Sequence, residues 1–104
     1  MRLFELVFSP EAENQLESLY RYIAERASPD IALRFTNAIF DHSETFKSLP
    51  HRGTSRNDIR QGLRVTHYRG RVVIAYTVVG EQVAILGIFY GGQDFEAMLS
   101  SEPS

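Results

Sequence analysis

The stretch GLRVTHYRGRVVIAYTVVGEQVAILGIFY, Gly62 to Tyr90, decides the fold, because it holds three β-forming runs in close succession. Each run is rich in valine, isoleucine and tyrosine, which favour strands. The runs are separated by Arg69-Gly70 and by Gly80-Glu81. Short glycine-containing breaks of this kind are typical of the turns between antiparallel strands. The segment therefore predicts a meander of three strands.

Alternation along these strands assigns the apolar side chains to two faces. In the middle run one face holds Val72, Ile74, Tyr76 and Val78. In the last run strict alternation places Ala84, Leu86, Ile88 and Tyr90 on one face, opposite Val83, Ile85 and Phe89. Because both faces are apolar, we expect both sides of the sheet to be covered.

The part of the chain before the meander predicts one strand and two helices. LFELVF, Leu3 to Phe8, has the composition of a strand. Ser-Pro-acid sequences at Ser9 and at Ser28 indicate two helix starts, each with a serine N-cap and a proline in the first turn. Apolar residues then recur at steps of three and four, so the two helices form a hairpin. We expect the second helix to run to Pro50 and to be the longer one.

The order of elements favours an α+β domain. A small antiparallel sheet of about four strands would pack against the N-terminal helical hairpin, in the order βααβββ(α). The first strand would reach one of the last two strands by a long return. We expect a single domain over residues 1–99, followed by a flexible tail at 100–104.

Composition excludes several classes of site. The 104 residues include no cysteine and only three histidines, so disulfides, thiol catalysis and cysteine-based metal sites are excluded. We expect no metal and no cofactor. The longest apolar run is too short to span a bilayer, and a signal-peptide pattern is missing, so we expect a cytoplasmic protein without a membrane partner.

Charge is distributed unevenly along the chain. The net charge is −2, yet Lys47 to Arg71 contains seven of the eleven basic residues and one acid, a net charge of +6. Four arginines in it are spaced by four: Arg52, Arg56, Arg60 and Arg64. Gly53 and Gly62 disfavour a helix there, so a solvated loop is one interpretation. The other is a basic surface that docks a macromolecule.

Arg64 is the arginine with the most specific setting. Alternation puts it on the strand face opposite Leu63 and Val65, next to Thr66 and Tyr68. A guanidinium group on a sheet face is suited to hold a phosphate or a carboxylate through its planar set of donors.

The chain resembles the ParE branch of the RelE/ParE toxins, the toxin halves of type II toxin–antitoxin modules. The resemblance is carried by SPEAENQLESLYRYIAERASPDIALRF, by LP-HRG, by GLRVTHYRGRVVIAYTV and by VAILGIFYGGQDFEAML. Its most specific piece is the ending, from Ile88 to Phe95. Members of the family usually have His where Tyr90 stands and Arg near Gln93, so the chain departs from the pattern at these two positions.

The resemblance implies a toxin that inhibits DNA gyrase by binding, without catalysis, and that a ParD-like cognate antitoxin neutralises. It also admits a homodimer of the toxin inside a toxin–antitoxin heterotetramer or larger assembly. An acidic or amphipathic antitoxin tail would dock on the +6 segment. We expect the surface that binds partner or target to consist of Arg52, Arg56, Arg60, Arg64, Arg71, Tyr90, Gln93, Asp94 and Phe95.

Two alternatives remain open. The first is a RelE-like, ribosome-dependent mRNA endoribonuclease in which Arg64 clamps the phosphate, Tyr90 acts as acid, and His67 or His51 acts as base. Alternation places His67 on the face opposite Arg64, which counts against this set. The second alternative is a non-toxic intracellular binding module.

Overall fold

A computed structural model describes residues 3–100, and it confirms the predicted class and order of elements. In chain order these are β1 (Glu5–Phe8), α1 (Pro10–Arg26), α2 (Pro29–Glu44), β2 (Thr54–Ser55), β3 (Leu63–Tyr68), β4 (Val72–Val79), β5 (Gln82–Tyr90) and α3 (Phe95–Ser100). The two-residue strand β2 was not predicted. Ser100 ends α3, and the rest of the predicted tail, 101–104, lies outside the described residues.

The sheet has the order β1-β5-β4-β3-β2. As predicted, the first strand returns to one of the last two strands, with Glu5 opposite Gln82 and Phe8 opposite Ile85. This pair is parallel, whereas the other three pairs are antiparallel. The predicted all-antiparallel sheet is thus corrected to a mixed one. No tight turn joins β1 to β5, so only the long path through the helices and the meander sets their relative direction.

The two serine caps form as predicted. The hydroxyl of Ser9 accepts from the Ala12 N–H and that of Ser28 from the Ile31 N–H, each at 3.1 Å. The second helix is not the longer one, since α1 has 17 residues and α2 has 16. α2 ends well before Pro50 and tightens into a 3₁₀ turn, Thr45–Lys47.

Each face of the sheet contributes to a buried core, in agreement with the sequence. The larger core lies between the sheet and the helical hairpin and includes Leu19, Ile39, Phe46, Val72, Ile74, Tyr76, Val83, Ile85 and Ile88. The smaller core lies on the other face, against α3, and consists of Leu63, Val65, Ala75, Phe89 and Leu99. We call these faces the hairpin side and the α3 side.

A β-bulge at Leu86 changes the faces of β5. Ala75 lies opposite Gly87, but Tyr76 lies opposite Ile85, so Leu86 is left without a partner across the strand pair. The extra residue shifts the alternation by one. Beyond the bulge the apolar residues Ile88 and Tyr90 therefore join Val83 and Ile85 on the hairpin side, and the strict alternation predicted for this strand was wrong.

Candidate functional site

The arginines of the +6 segment lie on both sides of the sheet. Arg64 is opposite Tyr76, whose side chain belongs to the hairpin-side core, and directly opposed residues of an antiparallel pair project to the same face. Arg56 and Arg60 instead reach α3 on the other side. The structure therefore brings these arginines together in two groups and does not form the single basic face that the spacing suggested.

Arg64 anchors the loop that follows the 3₁₀ turn. Its Nη2 donates to the carbonyls of His51 at 2.5 Å and Gly53 at 3.2 Å, and its Nε donates to the Arg52 carbonyl at 3.3 Å. The Tyr76 hydroxyl also donates to the Arg52 carbonyl. Burial raises the pKa of Tyr76, although the nearby Arg64 guanidinium opposes that rise. A phosphate at Arg64 would have to compete with these backbone carbonyls.

Arg56 and Arg60 hold α3 against the sheet. Arg56 forms a two-point ion pair with Asp58, with both contacts at 2.9 Å, and a second pair with Glu96 at 2.7 Å. The hydrogen bond from Arg56 lowers the pKa of Asp58 below its usual value. Nη2 of Arg60 donates to the Leu99 carbonyl at 3.0 Å. Two of the predicted docking arginines thus connect elements within the molecule.

A second group of predicted residues does come together. The N–H of Gly91 donates to the Arg71 carbonyl at 3.3 Å, so the β3–β4 turn touches the β5–α3 turn. Within the latter, Oε1 of Gln93 accepts from the Tyr90 N–H at 2.9 Å, and Oδ1 of Asp94 accepts from the Ala97 N–H at 3.1 Å. We call the exposed surface formed by residues 69–71 and 90–94 the turn tip.

Phe95, the last of the predicted residues, points away from the turn tip. Its ring packs 6.1 Å from that of Phe89 on the α3 side.

Arg52 lies on the hairpin side, where its Nη1 donates to the Thr45 hydroxyl at 3.0 Å.

Three of the residues suggested for ribonuclease chemistry, Arg64, Tyr90 and His67, do not converge, whereas the backbone of His51, the alternative base, contacts Arg64. Along β4 the partner of Arg64 is Tyr76 and that of Tyr90 is Val72, a separation of four residues or about 13 Å. His67 is exposed and projects to the face opposite Arg64, as alternation indicated. No acid, base and phosphate clamp are therefore assembled from Arg64, Tyr90 and His67.

Two depressions in the surface were not anticipated. One of about 430 Å³ lies between α1 and α2, beside the stacked rings of Phe8 and Phe40, and Glu13 and Glu17 line it. The other, of about 490 Å³, lies between α1 and the end of β5. The sequence carries a partial sign of the first in Phe40, an aromatic residue that falls outside the buried stripe of its helix.

Within residues 3–100 no three His, Cys, Asp or Glu side chains are grouped closely enough to hold a metal ion. None of the helices in the same range has the length and apolar character needed to cross a membrane.

Comparison with known proteins supports the resemblance inferred from the sequence. A family model described as ParE toxin of type II toxin–antitoxin system, parDE, matches residues 6–95. The chain belongs to the ParE toxin family. The match to this family runs from the second residue of β1 to the first residue of α3, and so includes the turn tip. A search of curated proteins found none that matches.

Solved structures show how this ParE-family fold is shared. A chain of the chromosomal ParDE toxin–antitoxin system from P. aeruginosa superposes with a TM-score of 0.74 at 21% identity, over 85% of this chain and 96% of that one. A conserved hypothetical protein from Helicobacter pylori covers 85% of this chain and 94% of its own, at 11% identity, but its TM-score of 0.43 carries no conclusion. The first comparison establishes a common fold.

Proposed function

We propose that this ParE-family chain is a toxin that inhibits DNA gyrase by binding the enzyme or its DNA complex in the cytoplasm. The observation that carries the proposal is the family match over residues 6–95. It is supported by the separation of Arg64, Tyr90 and His67, because an inhibitor that works by binding needs a complementary surface and no assembled acid and base.

The turn tip is the surface that we assign to the target. Arg69 and Arg71 are exposed in the β3–β4 turn, whereas Arg56, Arg60 and Arg64 are engaged in contacts within the fold. Arg69 adopts a left-handed conformation with φ of 54°, and its Nε donates to the Tyr68 hydroxyl at 3.1 Å. Two exposed guanidinium groups at one end of an acidic chain suit an anionic partner such as the gyrase–DNA complex.

A supercoiling assay with purified gyrase tests the proposal. We expect the wild-type chain to block supercoiling and to trap cleaved DNA, and the double variant Arg69→Glu/Arg71→Glu to lose most of this inhibition. Arg21→Glu is the matched control, because Arg21 is an exposed arginine whose partner, Glu17, is on the same helix at 2.5 Å.

Two outcomes would contradict the proposal, and each would favour a different function. Unaffected gyrase together with cleavage of ribosome-bound mRNA would establish the RelE-like alternative. Unaffected gyrase, intact mRNA and normal growth of bacteria expressing the chain would indicate a non-toxic binding module.

We also propose a ParD-like antitoxin as the partner that neutralises the chain. An acidic segment that contacts both arginine groups would pass around the β2 edge of the sheet, because Arg52 and Arg64 lie on the hairpin side and Arg56 and Arg60 on the α3 side. An extended tail that wraps the edge satisfies this geometry better than a compact domain.

A further inference from the structure

The depression between α1 and the end of β5 has the features of a ligand cleft. Its volume is about 490 Å³, within the range of about 300–1,000 Å³ that is usual for small-molecule sites. None of the residues that line it is charged. Its polar lining consists of Asn14, Gln15, Ser18 and Tyr22 from α1, and Tyr90 and Gln93 from the end of β5 and the turn that follows it.

Two side-chain amides in this cleft have a fixed orientation. Oε1 of Gln15 accepts from the Ile88 N–H at 2.7 Å, and Oε1 of Gln93 accepts from the Tyr90 N–H at 2.9 Å. Because a backbone N–H holds each amide oxygen, the NH₂ group of each side chain points away from that N–H. Gln15 and Gln93 both line the cleft, so their NH₂ groups are the donors that these side chains can offer to a neutral ligand rich in hydrogen-bond acceptors.

Aromatic rings stand beside these donors. Tyr22 is 43% exposed, and its ring lies 6.0 Å from that of Tyr90, at an interplanar angle of 61°. The guanidinium carbon of Arg26 lies over one face of the Tyr22 ring, 3.9 Å from its centroid, so a ligand would stack on the other face or displace Arg26. At the Gly91 wall the Gly91 N–H donates to the Arg71 carbonyl at 3.3 Å, so the backbone of Arg71, an exposed residue, adjoins the cleft. Rings and guanidinium groups together favour stacking and phosphate contacts.

We propose that this cleft binds one unpaired nucleobase of a single-stranded nucleic acid. Nucleobases present carbonyl oxygens and ring nitrogens as acceptors, and every base has a π face for a tyrosine ring. The uncharged lining accommodates the neutral base, and Arg26 and Arg71 at the rims serve the adjoining phosphates. Tyr90 and Gln93, from the end of β5 and the turn that follows it, both contribute to this cleft. The proposal goes beyond gyrase inhibition and does not require it.

Nuclear magnetic resonance titration of the whole chain with mononucleotides tests the proposal directly. We expect ribo- and deoxyribonucleoside 5′-monophosphates to shift the amide resonances of Ile88 and Gly91. Ribose 5-phosphate, which lacks a base, should bind about tenfold more weakly or worse, because stacking supplies most of the affinity. The ratio between the ribo and deoxy series then identifies RNA or DNA as the source of the base.

Two pairs of variants locate the site. Tyr22→Leu should weaken nucleotide binding by about fivefold or more. Tyr20→Leu, a change of the same kind on the side of α1 that faces α2, should leave it unchanged. Gln93→Glu keeps an oxygen to accept from the Tyr90 N–H but replaces the donor with a negative charge, so it should abolish binding. Asn37→Asp adds the same charge on α2 and should have little effect.

Three results would overturn the proposal. The first is equal affinity for ribose 5-phosphate and for nucleotides. The second is resonance shifts confined to the depression between α1 and α2, beside Phe8 and Phe40. The third is tighter binding of a blocked glycine dipeptide than of any nucleotide. Because the titration contains no gyrase, a failure here leaves the supercoiling result intact, and a failure of gyrase inhibition leaves the titration intact.

Discussion

Tyr76 is the residue in which the core and the arginine-rich loop meet. Its ring is fully buried and stacks 4.4 Å from that of Phe46, while its hydroxyl donates to the Arg52 carbonyl. We expect Tyr76→Phe to lower the free energy of unfolding by about 1 kcal/mol, because the carbonyl keeps only the longer bond from Arg64.

Tyr68→Phe is the control for this prediction. The Tyr68 hydroxyl accepts an exposed hydrogen bond from Nε of Arg69. Its removal should therefore lower the free energy of unfolding by less than about 0.5 kcal/mol, measured by urea unfolding. Equal losses for the two variants would contradict the role assigned to the Tyr76 hydroxyl.

We expect His42 to make the stability of the domain depend on pH. Its ring lies 5.0 Å from that of Tyr68 and 5.6 Å from that of Phe46. Burial, and then the positive charge of Arg52, hold the pKa of His42 below its ordinary value of 6.5. The unfolded chain therefore binds a proton more readily, and the free energy of unfolding falls as the pH drops through 6.5 toward the lowered pKa.

Replacement of His42 by phenylalanine tests this dependence. We expect His42→Phe to reduce the loss of stability between about pH 7.5 and pH 5.5, measured by urea unfolding at each pH. His67→Gln, at an exposed position on β3, controls for the removal of one imidazole from the surface. An unchanged slope in His42→Phe would show that another group dominates this pH range.

At the scale of elements, the loop before β2 fits against β3 only because residue 53 is glycine. Gly53 has φ of +89°, and a Cβ there would lie 2.6 Å from Cγ2 of Thr66 and 2.7 Å from the Val65 carbonyl oxygen. Backbone cannot yield as a flexible side chain can. We expect Gly53→Ala to separate the loop from β3, at a cost of more than about 2 kcal/mol.

Gly80 supplies the matched control. It also has a positive φ, +59°, but a Cβ there would meet nothing within 4 Å. Gly80→Ala should therefore lower the free energy of unfolding by about 1 kcal/mol, the cost of placing alanine in the left-handed conformation. Thermal and urea unfolding of both variants measure the difference, and similar losses would show that the contact with β3 is unimportant.

At the scale of the whole molecule, the proposed docking of the antitoxin depends on the division of the arginines between two sides of the sheet. We expect Arg52→Glu to weaken the affinity for the cognate antitoxin and to lower its dependence on salt, because Arg52 is exposed on the hairpin side. Arg34→Glu, at an exposed position on α2, is the control. Isothermal titration at two salt concentrations measures both, and an unchanged salt dependence in Arg52→Glu would exclude electrostatic docking on that side.

The parts of the fold that depend on neighbouring residues are the parts that the sequence predicts. Local signals specify the elements: Ser9 and Ser28 cap two helices through contacts three residues away, and alternation identifies the strands. Because these effects act within a few residues, they can be predicted from the amino-acid sequence alone.

The location of the functional side chains depends on contacts over long distances in the chain. Arg56 meets Glu96 40 residues later, and the bulge at Leu86 moves Ile88 and Tyr90 to the hairpin side. Spacing alone suggested one basic face and one alternation throughout β5. The sequence by itself determined the longer helices and strands, their order and the family, but not the short strand β2 or the end of α2. Tertiary structure decided which arginines hold the fold together and which residues meet at the turn tip, because those positions depend on pairing between segments that no local pattern encodes.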